Sequence, residues 1–425
     1  MATPRSLANI RESDLEGKRV FLRVDLSLRA DANYHNNRRI KAKEKASSDA
    51  NLHQDKKKKL GTSLKVADVA RFKKALPTID YLIKRGARVI ICGHIGQPEG
   101  VLPDCSLKPL VPILSKLINT DVEMLTWEDF HMRDFSVQNG SVRLLENVRF
   151  VEEEEKNDPE FAKKLASLAD LYVNDDFKTA HRAHASTEGI TRFLRPSVAG
   201  FSMKKELDWL VGAVSRPERP VAAIIGGLHV SSNIQAVEFL FEKVDMLFLG
   251  GRLSFLFINA MNFPEDSSHV ELHRIAKSLI EKARGRDMKF ILPSDILVAD
   301  RVADDANSKN VATCAVPNGW IGVDIGKRSI ERYCKRLDTV KTVIWTGVMG
   351  EYQTEKFAVG TNGIAKKLAE LSKNGVTTIV GGSDTISAVR KVGLADKMTH
   401  VSTGGAASLL LLEGKQLPGV VALDH

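Results

Sequence analysis

Four times in the second half of the chain an apolar, strand-like run ends on a pair of glycines. The runs are VAAIIGG, DMLFLGG, TTIVGG and THVSTGG, with the pairs at 226/227, 250/251, 381/382 and 404/405. Unbroken apolar runs suit strands buried on both faces, and such strands belong to parallel sheets covered by helices. Glycines at their carboxyl ends let the backbone turn sharply and let its N–H groups approach a phosphate or a flat base. Strand-to-helix turns favour glycine even where nothing binds, so each pair also has a purely structural reading.

The first half carries the same alternation in plainer form. KRVFLRV (18–24), ARVIICGH (87–94), VRLLEN (142–147) and DLYVND (170–175) read as strands, separated by helical stretches such as RFKKALPTIDYLIKRG (71–86) and PEFAKKLASLA (159–169). At 425 residues the chain exceeds what one core usually supports. The expected architecture is therefore α/β, with two doubly wound parallel-sheet lobes joined by a helix and hinge. Residues 1–202 form the first lobe, 203–408 the second, and 409–425 a tail returning to the first, with Met203 to Val214 as the helical connector.

No apolar run approaches the roughly 20 residues of a membrane span, and the amino terminus lacks the apolar core of a signal peptide. A cytoplasmic location and a monomer are the expectations. Cys92, Cys105, Cys314 and Cys334 are too scattered for a zinc site or a disulfide framework and read as reduced thiols. The formal net charge of +9 is concentrated in one place: Arg29 to Lys65 holds 11 Lys/Arg against 4 Asp/Glu, a local +7. Residues 28–65 are polar and repetitive and lack the apolar side chains needed to order themselves. They read as an inserted basic loop, either simply solvated or docking on nucleic acid or another acidic partner.

No GxxxxGK[ST] occurs, so a P-loop nucleotide site is excluded. Cations do stand at the first-half strand ends: Arg23 in RVD, His94 in CGHIGQ, Arg149 in LLENVRF, and His181 and Arg182 in VNDDFKTAHRAHAS. Parallel neighbours would gather them at one edge, where Arg71 can join. Arginine forks suit phosphate and carboxylate, so the cluster reads as a site for a small phosphorylated acid.

RVD, LLENVRF, VNDxFxTAHRAHAS, VAGFxMxKEL, the glycine-pair turns, GWIGVDIG, WTGVMG, GGSDT and STGGAAS, in that order, resemble phosphoglycerate kinase along essentially the whole chain. The resemblance implies 3-phosphoglycerate on the first lobe and Mg2+ with ATP or ADP on the second, brought together by closure for phosphoryl transfer. It places Arg23, Asp25, Arg71, His94, Arg149 and Arg182 at substrate-binding positions. It also shows two departures there: Ser27 stands for an asparagine and Gln97 for an arginine.

On the nucleotide side the family pattern GGAKVSDKI reads GGLHVSSNI, so His229 and Asn233 replace two lysines and Ser232 an aspartate. The resemblance assigns Arg71, His229, Gly382 and Gly405 to catalysis. Gly226, Gly227, Asn233, Gly251, Arg252, Gly322, Thr346, Gln353, Ser383, Asp384 and Thr385 fall to the nucleotide, with Asp384 linked to the metal. Arg252 and Ser383 stand for glycines, Thr346 for an asparagine, Gln353 for the glutamate expected at the ribose, and Ala406 for the last glycine of STGGG. Phosphoryl transfer depends on positioning and on cations at the transferring group, so the reaction is expected to be impaired or absent. An active enzyme with compensating cations and a non-catalytic scaffold acting through the basic loop are the alternatives. NDAFGTAHRAHAS has become NDDFKTAHRAHAS, which puts Asp176 and Lys178 beside the substrate cluster.

Overall fold

The computed structural model describes residues 3–26, 72–129, 138–227, 230–262, 270–286 and 288–425. Ser27, Arg71, His229 and the whole of the basic loop, 28–65, lie outside them. The chain divides into two compact units, one of Glu206–Leu417 and one of Ala2–Lys205 with Pro418–His425.

The amino-terminal unit is built on six parallel strands: β1 (Arg19–Arg23), β2 (Arg88–Cys92), β3 (Val122–Leu125), β4 (Val142–Leu145), β5 (Leu171–Asn174) and β6 (Ser197–Ala199). They lie in the order β3-β4-β2-β1-β5-β6. The register sets Arg23 beside Cys92 on one neighbour and Asn174 on the other, so the residues that follow all leave at one sheet edge. Four of the five residues in each of β1 and β2 are buried, as the apolar runs require. One crossing helix starts at a side-chain cap: Asp158 accepts from the Phe161 N–H ahead of the helix Pro159–Ser167, whose proline needs no partner for the N–H it lacks. Val20, Leu22, Ile79, Leu82, Val89, Ile91, Leu144 and Val173 share the core. Within this unit the carboxy-terminal segment is tied in by the Arg5 N–H, which donates to the Asp424 carbonyl at 2.7 Å, and by the Asp424 N–H, which donates to the Ser197 carbonyl at 2.8 Å.

The second unit has six parallel strands of its own: β7 (Val221–Ile225), β8 (Met246–Leu249), β9 (Lys289–Ile291), β13 (Thr342–Thr346), β14 (Thr377–Gly381) and β15 (His400–Val401). Their order, β15-β14-β13-β7-β8-β9, is that of a dinucleotide-binding sheet, with the winding reversing between β7 and β13. The sequence reading did not contain the third sheet, an antiparallel one of β10 (Asp295–Ala299), β11 (Ser308–Ala312) and β12 (Ile321–Ile325), ordered β11-β10-β12. Its edge strand SKNVA is exposed at four of five positions, so it carries no apolar run to betray it.

Candidate functional site

At the carboxyl edge of the first sheet, the register gathers four of the expected residues. Arg23 ends β1 and is 1% exposed. His94 follows β2, Arg149 lies in the short turn Val148–Phe150 after β4, and Arg182 follows the turn Phe177–Thr179 after β5. Arg23 Nη2 lies 2.8 Å from His94 Nδ1, its Nε donates to Ser186 Oγ at 3.1 Å, and its Nη1 donates to the Val24 carbonyl at 2.7 Å. The same Nη1 is 2.8 Å from the Asp176 carboxylate, an ion pair buried on both sides. Burial works against the Arg23 charge, and the neighbouring acidic groups, Asp176 foremost, more than offset it.

Arg149 donates to the Gly96 carbonyl at 2.8 Å and meets Glu155 at 3.1 Å, and Arg182 stands 4.0 Å from the same carboxylate. Burial pushes Arg149 down to about 10, with Glu155 pulling the other way. Protonation of the histidines is disfavoured. Burial, and then the surrounding arginines, hold His94 well below the usual imidazole range and His184 down at about 3, and His181 is lowered by burial and Arg182. The cationic side chains at this edge are thus the arginines and Lys178, which lies half-buried in the Phe177–Thr179 turn.

Beneath them the buried Glu154 accepts from the Ser186 hydroxyl at 2.6 Å and its N–H at 2.8 Å, and burial raises its pKa. Asp25 and Gln97 sit half-exposed at the same strand ends, each with a partner. Sequence reasoning missed the Glu154–Ser186 support, because a glutamate inside VEEEEK carries no mark of burial. It saw Asp176 and Lys178 but not that Asp176 reaches Arg23.

In the second unit the glycine turns are joined to one another. The Gly226 N–H donates to the Thr346 carbonyl at 2.9 Å, Gly227 to Val348 at 2.7 Å and Gly251 to Met349 at 2.9 Å, while the Gly347 N–H donates to Thr385 Oγ1 at 2.7 Å. A Cβ on Gly226 would stand 2.2 Å from the Val348 carbonyl oxygen, and one on Gly347 the same distance from that of Gly226. Close backbone packing alone thus demands these glycines. Gly382 and Gly405 adopt positive φ, 79° and 54°, as they lead into the helices Ser383–Lys391 and Ala406–Leu412. Helix amino termini after β7, β8, β14 and β15 present N–H groups on the side where α/β sheets bind ligands.

The replaced residues have become part of the packing. Asn233 is 7% exposed, and its Nδ2 donates to the Gly226 carbonyl at 2.8 Å, so it holds the first glycine turn from within. Arg252 Nη2 pairs with Glu351 at 3.8 Å across the mouth of a narrow cavity. That cavity is lined by Phe255, Ile296, Gly322 and Met349 and has a volume of about 10 Å3, enough for one water at most. Gly322 lies on β12 with its α-carbon against the Phe255 ring. Lys391 Nζ donates to the Gln353 carbonyl at 3.2 Å, and Ser383 is exposed at the start of its helix.

Asp384 is a half-exposed carboxylate in the first turn after β14. Among the described residues no group of three or more His, Cys, Asp or Glu side chains is placed to hold a metal ion. One carboxylate suits a Mg2+ that arrives on nucleotide phosphates and keeps several waters, so the residues present fit that ion only as part of a nucleotide complex. No helix among the described residues is long and apolar enough to cross a membrane.

A family model described as phosphoglycerate kinase matches residues 46–415. The chain is 52% identical over 430 residues to the cytosolic phosphoglycerate kinase 3 of Arabidopsis thaliana, covering 100% of both chains. It is 51% identical to the chloroplastic phosphoglycerate kinase 2 of the same plant, over 99% of this chain and 83% of that one. The phosphoglycerate kinase structure from Coxiella burnetii matches with a TM-score of 0.81 at 32% identity, covering 99% of this chain and 98% of that one.

Proposed function

The chain belongs to the phosphoglycerate kinase family, and from that premise we propose that it binds 3-phosphoglycerate well and transfers the phosphoryl group poorly. The first unit supplies the triose site. Arg149 and Arg182 face the anionic ligand, and His94, Asp25, Gln97, Ser27 and Arg71 complete its surroundings. The second unit supplies Mg-ADP contacts through the turns after β7, β8, β13 and β14, with Asp384 toward the metal and Thr385 and Ser383 at a helix start. The bound Mg2+ would screen phosphate charge. The reaction is phosphoryl transfer from 1,3-bisphosphoglycerate to ADP and its reverse, and it proceeds slowly. A cytoplasmic location belongs to the proposal, the matched relatives being named for both cytosol and chloroplast.

One observation supports the attenuated rate. Where the family pattern has a lysine, Asn233 spends its amide on the Gly226 carbonyl and is buried, and so offers no charge to a transferring phosphoryl group. The other lysine position is His229. Losing one preorganised donor to a developing charge typically costs about 100- to 1000-fold in rate. Arg252 already stands 3.8 Å from Glu351, a contact it would have to give up to replace the lost charge.

Coupled turnover with 3-phosphoglycerate and Mg-ATP tests this. The wild-type chain should turn over far below the roughly 1 to 100 per second usual for kinases. The double variant His229→Lys/Asn233→Lys should gain about 100-fold or more. Ordinary turnover by the wild type, abolished by Arg149→Ala, would overturn the proposal. It would favour the second reading, a fully active enzyme, which the 52% identity over the whole chain supports.

A further inference from the structure

β9 ends the second sheet on one side, paired with β8 alone. Beside it a cavity of about 560 Å3 opens between β9, the helices Val270–Arg284 and Lys327–Leu337, and the segment that leads to β10. It shares no lining residue with the narrow cavity beside Arg252. Its volume falls within the roughly 300 to 1,000 Å3 of small-molecule sites.

The lining has two parts. Ile280, Phe290, Leu292 and Pro293 form an apolar wall, and the Phe290 ring is braced by Phe257 at a centroid distance of 5.3 Å. Arg284, Lys289, Arg332 and Arg336 also line the cavity, and among the described residues no Asp or Glu does. Arg332 donates to the Leu292 carbonyl. The side chains of Arg284, Lys289 and Arg336, all exposed, have no hydrogen-bond or ion-pair partner among the described residues. A cation suits the last turn of a helix, which accounts singly for Arg284 and Arg336. It does not account for Lys289 on a strand, or for Arg332 one turn before Arg336, at the same apolar wall. Four like charges without a counter-charge repel one another, and an anion seated among them removes that repulsion. The apolar wall favours a ligand with a hydrophobic body.

We propose that this cavity binds a soluble acyl carboxylate, its chain against the apolar wall and its head among the four cations. An added peptide strand fits β9 less well. The strand is three residues long, and the carbonyls of Ile291 and Leu292 already accept from the Tyr333 hydroxyl, at 3.2 Å, and from Arg332.

Calorimetric titration of the full chain with octanoate, octanol and acetate tests the two parts of the lining separately. Octanoate should bind saturably, one per chain, and octanol and acetate at least about 10-fold more weakly, the first for want of a charge-assisted bond and the second for want of buried chain. The double variant Lys289→Met/Arg336→Met should weaken octanoate about 10-fold or more. Met261 lies at the same cavity and is 51% exposed, so Met261→Glu adds a carboxylate there and should weaken octanoate by repulsion. These side chains are exposed, so the unfolding temperature and the affinity for 3-phosphoglycerate should stay at the wild-type values in every variant. Absence of saturable octanoate binding by the wild type overturns the proposal. So does octanoate binding that neither variant weakens, or octanol or acetate binding as tightly as octanoate. Association with vesicles of anionic phospholipid but not with free octanoate also overturns it, and would make the four cations a membrane-facing patch.

Discussion

At the scale of single residues, burial decides what each charge in this protein can do. Asp324 is the clearest case in the second unit. It is 4% exposed, its two oxygens accept from the Gly360 N–H at 2.5 Å and the Ile325 N–H at 2.9 Å, and Gly350 and Gly360 are glycines because a Cβ on either would strike it. Burial pushes its pKa up to about 7, more than those two bonds pull it down. The folded chain therefore binds a proton here between about pH 4 and 7 that the unfolded chain does not. The sign follows: the carboxyl's contribution to stability is largest near pH 4 and declines as the pH rises to 7. Asp324→Asn removes that slope. The stability gap between wild type and variant should change by up to about 4 kcal/mol across the window, read from urea midpoints at several pH values. A gap that stays constant with pH would refute the assignment. The glycines of the second unit make a related point, since Gly226 and Gly347 are required by backbone packing whether or not a ligand binds.

At the scale of elements, one buried polar tie in the second unit runs from the helix Phe201–Ser215 to the end of β15. Glu206 on that helix accepts from the Thr403 hydroxyl at 2.6 Å and its N–H at 2.7 Å, and lies 2.9 Å from His400 Nε2, with Trp209 stacked on the His400 ring. Burial opposes the Glu206 charge, but the bonds from His400 and Thr403 win and its pKa is lowered. Its contribution is therefore present above the unfolded value and lost as the pH falls through the folded one. Glu206→Ala strips three donors of one buried acceptor and should cost about 3 kcal/mol. Equilibrium denaturation at pH 7 measures it, and a loss within about 0.5 kcal/mol, the range of ordinary surface changes, would show that water replaces the carboxylate. The antiparallel sheet of β10, β11 and β12 also belongs to this scale. Pairing, and not composition, makes SKNVA a strand, and the sheet carries Gly322 to the wall of the narrow cavity.

At the scale of the whole molecule, charge and division into units matter most. Removing residues 28–65 takes away 11 Lys/Arg and 4 Asp/Glu and drops the formal net charge from +9 to +2 (9 − 7). A chain that binds polyanions through this loop should show affinity for heparin or RNA that falls steeply with salt and disappears on deletion. Retention of that affinity by the deleted chain would move the interaction to the folded units. The alternation of apolar strands with helices and the glycines at strand ends were legible in the sequence, because buried parallel strands must be apolar throughout and backbone turns tolerate few other residues. The positions of Arg149, Arg182 and Asp384 at strand ends followed from the same motifs. Tertiary structure alone decided that Asp176 closes on Arg23, that Asn233 ties down Gly226 and that Arg252 meets Glu351. The first and last depend on side chains from separate strand ends meeting within 4 Å, and the second on a helix side chain folding back onto the turn before it; the local pattern of a chain fixes which way a residue leaves its strand but not which group it finds there.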